Sequence, residues 1–199
     1  MGLYTKTENF LGTFAKKARS FSYADYKAWE HKEGELFELI YGKTFAKAGA
    51  NKRHQAILLE LSSQFRNVLY GKPCKVYPVS FGVRLFYKGD ESDDTVVKPD
   101  ICIVCDEKKQ GQEDCLGAPD MVVEVLSPSD TAIEMERKFR LYQKAGVREY
   151  WVIDPENNGL IVYIFKKDGI SINSFDNRKA VPMGILPGIS VNLEAVFAE

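Results

Sequence analysis

The stretch DMVVEVLSPSDTAIEMERKFRLYQKAGVREYWVID, residues 120–154, decides the fold. Residues 120–127, DMVVEVLS, form a nearly continuous apolar run, as a strand covered on both faces requires. Thr131 and Glu134 have the spacing of a capping box, in which each side chain satisfies the other's backbone N–H at a helix start. The helix they open is predicted to run to about Ala145, where Gly146 supplies the left-handed residue that ends it. Residues 148–154, REYWVID, are a second apolar strand. Strand, helix and strand with short connections imply a parallel pair joined by a right-handed crossover.

Outward from this unit, KPDICIVC (98–105) is another buried strand, opened by Pro99. LIVYIF (160–165) and ISINSF (170–175) flank Lys166-Lys167-Asp168-Gly169 as a hairpin, and CKVYPVSFGVRLFY (74–87) is β-branched and aromatic, hence extended. Residues 51–70 read as an amphipathic helix with Ile57, Leu61, Phe65 and Val68 on one face, ended by Gly71 and Pro73. LFELIYGKTFAKAG (36–49) reads as two short strands around Tyr41-Gly42, and 22–30 as a short helix capped by Ser22. Residues 1–20 show no period and are expected to form a loose arm. The fold class is α/β, with antiparallel hairpin additions, in a single domain over 21–199.

Composition excludes several classes. Of 199 residues 45% are apolar and 28% charged, with 12 Phe, 10 Tyr and 2 Trp, which rules out disorder, collagen-like repeats and coiled coil. Lys and Arg total 27 against 28 Asp and Glu, a formal charge of −1, so any nucleic-acid contact must rest on a local patch. No apolar run is long enough for a membrane span. The N-terminus MGLYTKTENFLGTF lacks a signal-peptide pattern, and Lys6 breaks the myristoylation pattern. A cytoplasmic protein with reduced thiols is expected. Cys102 and Cys105 spell C-x-x-C, but within a strand their side chains point to opposite faces, and with only His31 and His54 in the chain zinc is rejected. Cys74 and Cys115 read as incidental thiols.

Two carboxylates stand where carboxylates are costly. Glu124 lies inside MVVEVL, and a buried charge must be paired, protonated or bound to a metal. Asp100 follows Pro99 at the start of another apolar run, although Asp is depleted in strands. Two carboxylates on neighbouring strands can converge on one hard cation such as Mg²⁺. Lys138 falls three residues after Met135 and four before Tyr142, so it shares the helix face turned toward the sheet and can reach a phosphate or a water beside Glu124. The blander alternative stays open on residue types alone: Glu124 and Lys138 form a structural ion pair, and Asp100 caps a turn. His54, at the start of the second helix, reads either as a group at the site mouth or as a packed or capping histidine. Lys43, Lys47, Lys52 and Arg53 form a basic segment without an acid between Glu38 and Glu60, a candidate for phosphate-backbone contact or simply a solvated surface. Asp120 and Asp154 read as turn residues, and Asp130 as a charge at a helix N-terminus.

The ordered segments FELIYG, the His54 helix, KPDICIVCD, GAPDMVVEVLSPSD and KFRLYQKAGVREYWVIDP resemble the Uma-type restriction endonuclease family of the PD-(D/E)XK nuclease superfamily, over roughly residues 21–197. The resemblance implies a mixed sheet flanked by helices, with an active site where central strands splay. It implies Asp100 and Glu124 as metal ligands, with Glu38 as an additional acidic member. The reaction implied is hydrolysis of a nucleic-acid phosphodiester, in DNA by expectation, by a water activated on Mg²⁺, with Mn²⁺ as a substitute. A homodimer without an organic cofactor or membrane partner is expected on the same basis. One departure stands out: Leu126 occupies the superfamily's usual lysine position, and Lys138 in the following helix is the matching residue. Ser127 reads as a rim residue or the start of the loop. Two rival readings follow, a catalytically inactive nucleic-acid-binding relative and a protein-interaction domain that kept the fold.

Overall fold

Alternation along the strands sorts the apolar residues onto two faces of one sheet. The computed structural model describes residues 20–33, 36–47, 49–177 and 179–198. The arm expected over 1–20 lies, but for Ser20, outside them. In chain order the elements are α1 (Tyr23–Glu33), β1 (Phe37–Ile40), β2 (Lys43–Ala46), α2 (Lys52–Val68), β3 (Lys75–Pro78), β4 (Gly82–Arg84), β5 (Ile101–Val104), β6 (Asp114–Leu116), β7 (Met121–Val125), α3 (Ala132–Ala145), β8 (Glu149–Asp154), β9 (Gly159–Lys166), β10 (Gly169–Asp176), β11 (Ala180–Pro182), β12 (Ser190–Asn192) and α4 (Leu193–Val196). A short 3₁₀ turn, Glu107–Lys109, follows β5.

The central sheet has the strand order β10-β9-β8-β7-β5-β3. Within it β7 and β8 are parallel, as the crossover through α3 requires, and every other neighbouring pair is antiparallel. The fold is therefore α+β with a mixed sheet and antiparallel hairpins. On one face Ile101, Ile103, Met121, Val123, Val125, Trp151 and Ile153 meet the apolar side of α2, together with α4 and the β11–β12 pair. On the other, Cys102, Val104, Val122, Tyr150 and Val152 meet Leu141 and Tyr142 of α3. Phe65 of α2 packs on Trp151, ring centroids 5.7 Å apart, and both are fully buried. Truncating either to Ala costs about 3–5 kcal/mol.

The local signals act as their chemistry dictates. Thr131 and Glu134 close the capping box of α3, and Gly146 ends it at φ 90°. Tyr41 (φ 49°) and Gly42 (φ 72°) both take the left-handed conformation of a two-residue hairpin between β1 and β2. Asp130, directly before the Thr131 cap of α3, accepts with its Oδ2 from the N–H and hydroxyl of Ser127, closing the turn that leads into the helix. Among the described residues, no helix is long and apolar enough to cross a membrane.

One expectation is corrected outright. Cys74 and Cys105 form a disulfide, and only Cys102 and Cys115 are free, both buried. The β3–β5 register pairs Lys75 with Val104, so the next cross-strand pair is Cys74 with Cys105. That juxtaposition depends on strand register across 31 residues, which cysteine spacing cannot reveal.

Candidate active site

The β5–β7 ladder pairs Cys102 with Val122 and Ile101 with Val123. One more step would pair Asp100 with Glu124, and there the ladder opens. In its place the Asp100 side chain accepts the Val125 N–H at 2.8 Å, so a carboxylate substitutes for a strand carbonyl. By strand parity both acids face the α3 side, with Cys102 and Val122.

Burial makes their partners decisive. Asp100, Glu124, Glu38 and His54 are 2%, 6%, 4% and 7% exposed. From α3, the Lys138 ammonium reaches Oε1 of Glu124 at 2.8 Å and Oε1 of Glu38 at 3.5 Å. The Tyr142 hydroxyl, one turn along, donates to the same Glu124 oxygen at 2.6 Å. From the end of β2, Lys47 donates to Oδ1 of Asp100 at 2.7 Å and to the Lys98 carbonyl at 2.6 Å. Its ammonium stands 4.0 Å from Oε2 of Glu124. His54, in the first turn of α2 behind the Asn51 cap, brings Nε2 to 3.2 Å from Oδ2 of Asp100, while its buried Nδ1 has no hydrogen-bond partner. Glu38 on β1 accepts the Lys98 N–H at 3.0 Å.

These contacts divide the titrations. Burial alone would raise Asp100, but hydrogen bonds from His54, Lys47 and the Val125 N–H hold it well below the usual carboxylate range. Burial pushes Glu124 up, and the opposing charges of Lys138 and Lys47 do not cancel that push. Lys138 moves the other way: burial would lower it, yet Glu124 and Glu38 raise it and keep it cationic. Burial first, then the charge of Glu124, keeps Tyr142 protonated as a donor.

The site opens on a cavity of about 300 Å³ whose charged lining is Glu38, Asp100, Glu124, Asp130 and Glu134 against Lys47, Arg137 and Lys138, with His54 beside them. Acids outnumber cations there, so the cavity favours a further cation. Among the described residues no three His, Cys, Asp or Glu side chains converge as a ready metal cage. Two hard carboxylates facing open volume are a donor set of the kind that fits Mg²⁺, an ion that completes its shell with water and phosphate. A second cavity, of about 490 Å³, shares Lys47, His54 and Asp100 as its wall.

Asp100, Glu124, Lys138, Glu38 and His54 thus come together. The basic segment does not act as one surface. Lys47 turns inward, Arg53 donates to Pro155 O and Asn158 Oδ1, and Lys43 and Lys52 are exposed. Ser127 lines the cavity and bonds Ser129 and Asp130, whereas Leu126 packs on the α3-side core. Sequence reasoning missed the inward role of Lys47, for which no local signal exists. It also missed the Tyr142 hydroxyl, which the four-residue spacing from Lys138 makes recoverable.

A family model described as "Uma2: Putative restriction endonuclease" matches residues 23–194. An uncharacterized protein of Synechocystis sp., slr1290, is 28% identical over 146 residues, 73% of this chain and 74% of that protein. The crystal structure of "a putative nuclease belonging to DUF820" from Anabaena variabilis superposes with a TM-score of 0.72 at 20% identity, covering 89% of this chain and 98% of that one. That likeness establishes the shared fold.

Proposed function

This chain belongs to the Uma2 restriction endonuclease family, and from the arrangement of its site we propose that it is a metal-dependent endonuclease hydrolysing phosphodiester bonds of nucleic acid, with DNA as substrate. The observation that carries the reading is the meeting of Asp100 and Glu124 where the β5–β7 ladder opens onto the cavity.

Asp100 and Glu124 would hold Mg²⁺, with Mn²⁺ able to replace it; when bound, the ion supplies a polarised phosphate and a bound water of lowered pKa. The rest is the work of the chain. The Val125 N–H and His54 fix the Asp100 carboxylate in one orientation. Tyr142 and Lys138 engage Oε1 of Glu124, while Lys47 stands 4.0 Å from Oε2. Lys138, kept cationic by its acidic neighbours, stabilises negative charge developing on a phosphate rather than accepting a proton. Glu38 positions Lys138 through a second ion pair at 3.5 Å.

Supercoiled plasmid incubated with the purified protein tests the reading. Nicking or linearisation with Mg²⁺ or Mn²⁺, abolished by EDTA, is expected; intact plasmid and intact oligonucleotides with either metal would overturn it. Leu126 in the usual lysine position favours one second reading, a nucleic-acid-binding relative that does not cut. Its signature is salt-sensitive DNA binding without metal-dependent cleavage.

A further inference from the structure

Helix α3 carries a second stripe besides the one that delivers Lys138 and Tyr142. Arg137, Arg140 and Lys144 follow one another at three and four residues, so they lie on one side of the helix over about 10 Å of its axis. Together with Ile133 and Tyr41 they line an open groove of about 430 Å³. Arg137 lines this groove and also the catalytic cavity, so the two are adjacent.

The groove combines three cations with a partly exposed tyrosine ring. The Tyr41 ring, 46% exposed at the tip of the β1–β2 hairpin, stacks on Phe86 with centroids 6.0 Å apart. The Lys144 ammonium lies 4.9 Å from the Tyr41 ring centre and 5.8 Å from that of Phe86, and among the described residues no carboxylate pairs with it. The Arg137 guanidinium rests 3.9 Å from the Phe45 ring centre, its Nε buried without a hydrogen-bond partner and its nearest carboxylate, Glu134, at 3.8 Å. Arg140 is bonded to Glu136 in an exposed pair that a phosphate can displace at little cost.

We propose that this groove is the track along which a single-stranded nucleic-acid segment leaves the catalytic cavity, its phosphates on Arg137, Arg140 and Lys144 and an unpaired base stacked on Tyr41. Planar guanidinium groups suit phosphate oxygens, and an exposed tyrosine face accepts any base that is not held in a duplex. A duplex would present only its backbone to the cations and leave Tyr41 without a stacking partner. The proposal rests on the nuclease reading for its connection to the cavity, but its binding test needs neither metal nor cleavage.

Fluorescence anisotropy with a labelled 20-nucleotide single strand and the matching duplex, in EDTA over a range of salt, tests it. The Arg140→Ala/Lys144→Ala variant is expected to bind the single strand at least tenfold more weakly, with a shallower salt slope. Tyr41→Asn, which keeps a residue that tolerates the left-handed backbone, is expected to lose about 5- to 100-fold on the single strand with the salt slope unchanged. Tyr41→Phe is expected to restore binding, and Lys166→Ala/Lys167→Ala on the β9–β10 turn to bind like wild type. The track is refuted if both groove variants bind within twofold of wild type, or if Tyr41→Asn weakens duplex as much as single strand. If wild type still cuts plasmid in either case, the nuclease reading survives alone. If wild type binds no single strand at low salt, the track falls, and plasmid cutting with Mg²⁺ or Mn²⁺ decides the nuclease reading separately.

Discussion

The Nζ atom of Lys138 lies 2.8 Å from Oε1 of Glu124, and a turn of α3 later the Tyr142 hydroxyl donates to the same oxygen. With the lysine side chain 19% and the glutamate 8% exposed, this is an ion pair held largely out of water. Removing one member strands the other. Lys138→Met is expected to cost about 3–5 kcal/mol, and Glu124→Gln less, since the amide can still accept from Tyr142. The double variant Glu124→Gln/Lys138→Met is expected to recover most of that stability while cleavage stays lost in all three. Urea unfolding of the four proteins measures the coupling; additive losses would mean the pair is not a unit.

Asp100 and Glu124 carry pH dependences of opposite sign. The Asp100 carboxyl sits below its ordinary value of 3.8, so its stabilisation is complete above that value and is lost as pH falls through the lower folded value. Glu124 sits above its ordinary value of 4.5, so its ionisation costs stability as pH rises from there through the folded value. Thermal unfolding from pH 3 to 7 is expected to show the acid-side loss flattened in Asp100→Asn, and the loss on the rising side removed in Glu124→Gln. Parallel curves for all three proteins would contradict both assignments.

Lys47 occupies the space between the two acids, 2.7 Å from one and 4.0 Å from the other. Its ammonium competes with any cation that the pair would bind. Lys47→Gln is expected to raise Mg²⁺ affinity about tenfold by calorimetry, equivalent to about 1.4 kcal/mol, while lowering stability without metal. Unchanged or weaker metal binding would show that Lys47 supports the site instead of competing for it.

The Cys74–Cys105 bridge closes a 31-residue segment. By chain entropy, reduction is expected to lower stability by up to about 4 kcal/mol. Thiol titration of the denatured, unreduced protein is expected to find two free groups, Cys102 and Cys115. Four free thiols would contradict the pairing.

The parts legible in the sequence are those written in local chemistry. Thr131 and Glu134 announce the start of α3, Gly146 its end, and apolar runs the strands it joins. Glu124 was conspicuous because a charge within MVVEV has no cheap resting place. Lys138 followed from helix periodicity alone. What stayed hidden depends on register and long-range approach. Lys47 meets Asp100 across 53 residues, Cys74 meets Cys105 across strands, and the cations of α3 meet Tyr41 only once the hairpin packs beside the helix. The four cations of 43–53 point in different directions, Lys47 inward, Arg53 to a turn, and Lys43 and Lys52 to solvent, which their spacing in the sequence does not reveal.

The central claim is that Asp100 and Glu124 form the metal-dependent cleavage centre. The most direct measurement is plasmid cutting by wild type and Glu124→Gln side by side, with Mg²⁺, Mn²⁺ or EDTA, after circular dichroism has shown both folded. Metal-dependent nicking by wild type, reduced at least 100-fold in the folded variant, is the expected result. Equal cutting by both proteins would remove Glu124 from the reaction and contradict the site.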